Sequence, residues 1–194
     1  MRVEPLAGTA LEAALDGVAA LRIAVFRDWP YLYEGTLEYE RGYLARYRDN
    51  PRAAVVGAFD GESLVGAATG TPMEDHADAF AAAFATRGFS LSDIYYCAES
   101  VLLSDYRGLG IGHRFFDIRE AKAAALGRKK VAFCSVQRPD DHPSRPAGYR
   151  PLDGFWRARG YAPLPGVVAH FHWRDVGARV ETAKPLQFWI RDLP

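Results

Sequence analysis

"SDYRGLGIGHRFF", residues Ser104 to Phe116, decides how the chain is read. Gly108, Gly110 and Gly112 alternate with Leu109 and Ile111, behind the apolar run "IYYCAESVLL" (94–103) and ahead of a helix-like pattern. A strand that feeds a helix through glycines exposes the helix's first amide groups. No Cβ obstructs them, and the positive end of the helix dipole adds to their attraction for phosphate. Three ligands use such a turn. A P-loop requires lysine and then Ser or Thr after the last glycine, where this chain has His113 and Arg114. A dinucleotide turn requires Gly-x-Gly-x-x-Gly and an acidic residue closing the next strand; here the spacing is Gly-x-Gly-x-Gly and the next strand closes on "CSVQR". The third ligand is the pyrophosphate of coenzyme A. A plain flexible turn is the blander alternative.

Working outward, Ile111, Phe115, Ile118, Lys122 and Ala125 trace one helix face, and "KVAFCSVQ" (130–137) is a short strand, so a parallel crossover is expected. Upstream, Asp60-Gly61 between two small-apolar runs predicts a hairpin with a tight turn. Residues 9–26 read as a helix, with Thr9 as cap, Glu12 at the capping-box position, and Leu11, Leu15, Val18, Arg22 and Val25 as its stripe. "RDWPYLYEG" (27–35) reads as a loop, and 36–50 as a helix capped by Thr36. A further helix spans 73–88 and ends at Gly88. The proline-rich "RPDDHPSRPAGYRP" (138–151) excludes regular structure. A short helix ending at Gly160 and strands at "VVAHFHW" (167–173) and "PLQFWIR" (185–191) complete the chain. This order predicts an α+β fold in one domain, 1–194, with a mixed sheet of about seven strands and helices on both faces.

At 49% hydrophobic residues, and with 24 Lys plus Arg against 24 Asp plus Glu, a folded, neutral chain is expected. Its balance offers no bulk attraction for nucleic acid or an anionic membrane, so neither is expected as a partner. Glu4, Glu12 and Asp16 interrupt the opening residues, which resemble no export signal. The two cysteines, Cys97 and Cys134, lie in apolar runs and read as reduced core thiols; a cytoplasmic location is expected.

Taken together, these motifs resemble the GCN5-related N-acetyltransferases. Arg107, Gly110 and Gly112 fill that family's Arg/Gln-x-x-Gly-x-Gly/Ala signature, preceded by the acidic–aromatic pair Asp105-Tyr106. The hairpin, the strand "YYCAESVLL", the strand "KVAFCSVQ" and the helix-Gly-aromatic stretch "FWRARGYAPL" follow the family's order. The resemblance implies acetyl-CoA as co-substrate, with no metal, lying between the fourth and fifth strands. Its pantetheine arm would pair with backbone at Val101, Leu102 and Leu103. Its pyrophosphate would meet the amides of Arg107, Gly108, Leu109, Gly110, Ile111 and Gly112, with His113 close by.

Acetyl transfer to an amine requires removal of a proton from an ammonium. Glu99, the only carboxylate in its apolar strand, is one candidate base; the alternative is that it pairs with an arginine. Tyr96 is the second candidate, with core packing as its alternative. Strand alternation puts the two on opposite faces unless a bulge intervenes. The family's usual acid, a tyrosine four residues before the glycine ending the fourth helix, is Trp156 here, and indole is no acid. Tyr149 is the substitute candidate, or else a surface loop residue. In this fold the first two helices and their connection roof the acceptor site, so Arg27, Tyr31 and Tyr33 are candidate substrate contacts, together with His142 and Arg145 of the proline-rich loop. The expected activity is direct acetyl transfer to a primary amine of a small molecule, an amino acid or polyamine-like metabolite among the candidates. A non-catalytic acyl-CoA sensor on the same fold is the alternative, and an enzyme for longer acyl groups is a third reading. A homodimer is compatible with either.

Overall fold

The runs of small apolar residues in the middle of the chain form the centre of one twisted sheet. In a computed structural model, which describes residues 1–84 and 87–194, the elements follow in the order β1 (Arg2–Leu6), α1 (Gly8–Phe26), α2 (Leu37–Arg48), β2 (Ala54–Asp60), β3 (Ser63–Pro72), α3 (Ala77–Phe84), β4 (Ile94–Leu102), α4 (Ile111–Ala125), β5 (Lys130–Val136), α5 (Asp153–Ala158), β6 (Ala162–Trp173) and β7 (Thr182–Asp192). The seven strands lie in the order β1-β2-β3-β4-β5-β7-β6. β4 and β5 are parallel, and every other neighbouring pair is antiparallel.

Helices cover both faces, as the residue pattern predicts. On one, Val18 of α1 and Leu44 of α2 pack with Val55, Ala67 and Val101. On the other, Ile111 and Phe115 of α4 pack with Val56, Val65 and Ala68. None of the helices in the described residues is long and apolar enough to cross a membrane.

Four local expectations change. β1 adds a strand that the sequence reading does not name; it is an edge, where a proline such as Pro5 is tolerated. α1 begins at Gly8 with Ala7 as its cap, so Thr9 lies inside the first turn. The hairpin turn is Gly61-Glu62, one residue later than expected, since Asp60 pairs with Ser63; Gly61 supplies the positive φ of 57°. The expected helix over 73–88 opens as a 3₁₀ turn, Met73–His76, before α3; its residues 85–86 lie outside the described residues. Thr36 does cap α2, accepting from the Tyr39 amide at 3.3 Å.

The feature that positions the site is a parting of strands. β4 and β5 pair only from Ile94–Lys130 to Tyr96–Ala132. Beyond Tyr96, β4 continues against β3 as far as Leu102, while β5 continues against β7 as far as Val136. The two central strands therefore splay, and a cleft opens between them.

Candidate active site

A cavity of about 560 Å³ opens beside the splay, with Tyr96, Ala98, Glu99 and Cys134 in its wall. Strict alternation would put Tyr96 and Glu99 on opposite faces. Both line this one cavity because β4 carries a bulge: Thr69 pairs with Glu99 but Thr71 pairs with Tyr96, so one extra residue enters β4. A bulge leaves main-chain carbonyls without ladder partners. Arg119, reaching over from α4 and only 1% exposed, donates from Nη1 to the carbonyls of Thr69 (3.0 Å) and Glu99 (2.9 Å), and from Nη2 to Ser100 Oγ (2.8 Å). The predicted face of α4 misses this residue. The buried positions are Ile111, Phe115, Phe116, Arg119 and Ala123, not the run through Lys122 and Ala125.

Glu99 both lines the cavity and pairs with an arginine, so its two alternatives coexist. Its Oε1 faces Arg22 Nη1 at 2.5 Å, and its Oε2 accepts from Tyr43 Oη at 2.8 Å. Arg22 also pairs with Glu40, through Nε. Arg22, Glu40 and Glu99 side chains are 8%, 0% and 7% exposed, so all three charges are out of bulk water. Burial works against the charge of Arg22. Glu99, Tyr43 and Glu40 outweigh it and hold the guanidinium well above its ordinary value. One guanidinium is thus shared between two carboxylates. Tyr43 in turn bonds Tyr47 Oη at 2.7 Å, and burial with the nearby Glu99 charge raises both phenols, so they stay protonated donors.

Tyr96 is 4% exposed, with its hydroxyl 3.2 Å from Cys134 Sγ. Burial, then Cys134, hold its phenol well above the usual range. It can donate a hydrogen bond or orient a partner, but it is not an ionised base at neutral pH. Burial also pushes the Cys134 thiol up to about 12 and the Cys97 thiol to about 11, so neither is a thiolate nucleophile.

The glycine turn is exposed and shaped by its backbone. Gly108 and Gly110 adopt φ of 77° and 80°, and Gly110 is the N-cap of α4. The Arg107 amide, expected to be open to the pyrophosphate, is taken by the Ser104 carbonyl at 3.1 Å, and those of His113 and Arg114 by the Gly110 carbonyl at 3.1 and 3.3 Å. The amides of residues 108–112 have no acceptor among the described residues. Gly112 already lies in the helix, its position touching the Phe155 ring. His113 packs edge-on against Phe155, with its Nδ1 3.1 Å from Arg159 Nη1, and Arg107 Nε donates to the Leu102 carbonyl at 3.4 Å. Val101 is fully buried, so only its backbone could serve a ligand, whereas Leu102 and Leu103 are half-buried.

Of the substrate candidates, Tyr31 and Tyr33 line the cavity. Arg27, His142 and Arg145 do not, and neither does Tyr149, the candidate acid. Arg27 is exposed at the end of α1. The other three belong to an aromatic clasp between the two long loops: Trp29 packs on His142 (5.1 Å) and Tyr149 (5.9 Å), and Arg145 lies over the Tyr149 ring and pairs with Asp140. The clasp is tied down by Arg138, which donates to the carbonyls of Pro30 (3.0 Å) and Tyr31 (2.6 Å) and pairs with Asp175. Trp156 packs on Phe133 and Trp189 as part of the core. His172 lines the cavity and His170 does not. The described residues hold no cluster of three metal-ligating side chains.

Sequence reasoning passed over Glu40 and gave Arg22 no role in the site. The signal was present. Each is a charge standing in a helix stripe that is otherwise buried, Leu11-Val18-Arg22 in α1 and Glu40-Leu44-Tyr47 in α2.

The family model described as "Acetyltransferase (GNAT) family" matches residues 18–147. No curated protein matches the chain. Among solved structures, the chain is similar over the whole of both chains to ribosomal-protein-alanine N-acetyltransferase from Brucella melitensis, at 16% identity and a TM-score of 0.64. It is similar to an aminoglycoside 6'-N-acetyltransferase complexed with coenzyme A, at 17% identity and TM-score 0.59, over 100% of this chain and 98% of that one. It is also similar to yncA from Salmonella typhimurium with its cofactor acetyl-CoA, at 10% identity and TM-score 0.61, over 100% and 95%. At these identities the likeness is one of fold.

Proposed function

Because the chain belongs to the GNAT acetyltransferase family, we propose that it is an acetyl-CoA-dependent N-acetyltransferase acting on a primary amine of a small molecule. The observation that carries this reading is the adjacency of three features. The strands part after Tyr96–Ala132, a turn with free amides and two left-handed glycines follows β4, and a buried carboxylate lies in the cavity beside the parting.

Acetyl-CoA supplies the activated acyl group. The free amides of Gly108 to Gly112, at the positive end of α4, suit its pyrophosphate. The pantetheine arm would pair with the β4 edge left open by the parting, at Val101 and Leu102, since the Leu103 amide is taken by the Val65 carbonyl at 3.0 Å. That two of the solved neighbours carry coenzyme A or acetyl-CoA supports the same assignment. On the acceptor side, Glu99 holds the ammonium and receives its proton, directly or through water. Arg22 and Arg119 act as positioning residues: one fixes the Glu99 carboxylate, the other its backbone at the bulge. Tyr96, a protonated phenol beside the splay, would donate a hydrogen bond to a departing thiolate; burial makes it too weak an acid to give up its proton, Trp156 is chemically unfit for that task, and Tyr149 lies outside the cavity wall. Transfer would be direct, without a covalent enzyme intermediate, a reading that the buried, protonated thiols of Cys97 and Cys134 support.

The sensor reading, in which the fold binds acyl-CoA without turnover, is carried by Trp156 at the usual acid position. Acetyl-CoA calorimetry, followed by amine-dependent release of the coenzyme A thiol, tests both. Binding with turnover supports the enzyme, binding without turnover on any amine supports the sensor, and no binding removes both.

A further inference from the structure

The acceptor cavity is built unevenly, and the unevenness specifies a ligand. One end presents the carboxylate of Glu99, paired with an Arg22 that is shared with Glu40 outside the lining. There each Glu99 oxygen has one donor, Oε1 the Arg22 guanidinium at 2.5 Å and Oε2 the Tyr43 hydroxyl at 2.8 Å. A carboxylate offers about four acceptor sites, so a ligand's N–H can still be received on the cavity side. The side walls are rings, including Tyr31, Tyr33, Tyr39, Phe80, Phe171 and Trp173. The same wall already accommodates positive charge on ring faces, since the Arg22 guanidinium lies 4.2 Å from the Tyr43 centroid and 5.1 Å from that of Phe26. The rim, by contrast, is balanced. Arg174 is paired with Glu34 at 3.0 Å, and Arg179 and Glu181 contribute one charge of each sign, neither with an ion-pair partner among the described residues. A second ammonium or a carboxylate at the far end of a ligand therefore meets no excess of opposite charge.

We infer that the acceptor is a monoamine with an aromatic body, its ammonium on Glu99 and its ring among the aromatic walls. This rests on the reading of the cavity as the acceptor site. A cavity of about 560 Å³ is of the size that encloses such a molecule. A polyamine would leave its second cation against rings and a neutral rim, and an amino acid would bring its carboxylate beside the carboxylate of Glu99.

The test is calorimetric titration of the full chain, alone and saturated with coenzyme A, with four probes: 2-phenylethylamine, putrescine, phenylalanine and 2-phenylethanol. 2-Phenylethylamine is expected to bind at least about tenfold more tightly than each of the others. Glu99→Gln leaves the Arg22–Glu40 pair intact and should weaken 2-phenylethylamine by about tenfold, while 2-phenylethanol changes by less than about twofold. Phe171→Leu, remote from the ion pairs, should weaken 2-phenylethylamine but not ethylamine. Putrescine or phenylalanine binding as tightly as 2-phenylethylamine overturns the inference, as does wild-type affinity in both variants. Acetyl-CoA titrated into amine-free protein separates the two readings. If acetyl-CoA binds and 2-phenylethylamine does not, the aromatic monoamine falls and the acetyltransferase stands. If the amine binds and acetyl-CoA does not, the acetyltransferase falls and the amine site stands.

Discussion

The glycine turn and the aromatic cavity flank one cleft but are built by opposite means. The turn's chemistry is main chain: five consecutive amides, aimed by two left-handed glycines at the start of one helix. The cavity's chemistry is side chain, gathered from α1 and the loop after it, α2, α3, β4, β5, β6 and β7. Tyr43 and Glu99, which share a hydrogen bond, are 56 residues apart. A main-chain site should tolerate a change of side chain and fail when its backbone angles are disturbed. A side-chain site should behave the other way round, and its buried charges should make it matter for stability as well as for binding.

The largest expected effect lies on the cavity side. Arg22→Met leaves Glu40 and Glu99 buried without their cation, a loss of about 3–5 kcal/mol of unfolding free energy. Urea denaturation measures it, and a loss within about 0.5 kcal/mol, the ordinary surface range, would break the contrast. Next is Glu99→Gln, which keeps the shape and the Arg22–Glu40 pair. It should lower kcat/KM for the amine by about a hundredfold while acetyl-CoA affinity stays at wild type; a fall in acetyl-CoA affinity of the same size would merge the two sites into one. On the turn side, Gly110→Ala imposes a side chain at φ 80°, although no atom lies within 4 Å of its Cβ. The strain is therefore purely backbone, about 1–2 kcal/mol. Acetyl-CoA affinity should fall by about tenfold and amine affinity should hold, both read by calorimetry.

The smallest effect is on pH dependence. Burial holds His76, in the cavity wall, below its ordinary imidazole value, with Glu99 pulling weakly the other way. The unfolded chain takes up this proton near pH 6.5 and the folded chain only at lower pH. This contribution to stability is therefore full above that value and is lost as pH falls through the folded-state value, with a slope of at most about 1.4 kcal/mol per pH unit. His76→Phe should flatten urea stability between pH 7.5 and 5.5, and an unchanged slope would remove His76 from the account.

The same contrast explains what the sequence made legible. Positive-φ glycines, a capping threonine at Thr36 and the strand–turn–helix order act within a few residues, so spacing alone exposes them. The bulge that swings Glu99 onto the side of Tyr96 inserts one residue into β4, and nothing in "IYYCAESVLL" marks where. The Arg22–Glu40–Glu99 cluster exists only after α1, α2 and β4 have packed, and its trace in the sequence is no more than two charges standing in apolar stripes. Tyr149 and His142 looked like site residues because their loop is unusual in composition. Their rings are instead taken up by Trp29, a contact between loops that no local pattern encodes.

The central claim is that an acyl donor held at the glycine turn meets an amine held by Glu99. Its most direct test is the initial rate of coenzyme A thiol release from acetyl-CoA, at increasing 2-phenylethylamine, by the wild-type chain and by Glu99→Gln. The account predicts release that depends on the amine and falls by about a hundredfold in the variant at unchanged KM for acetyl-CoA. Amine-dependent release at equal rates in the two proteins would contradict it.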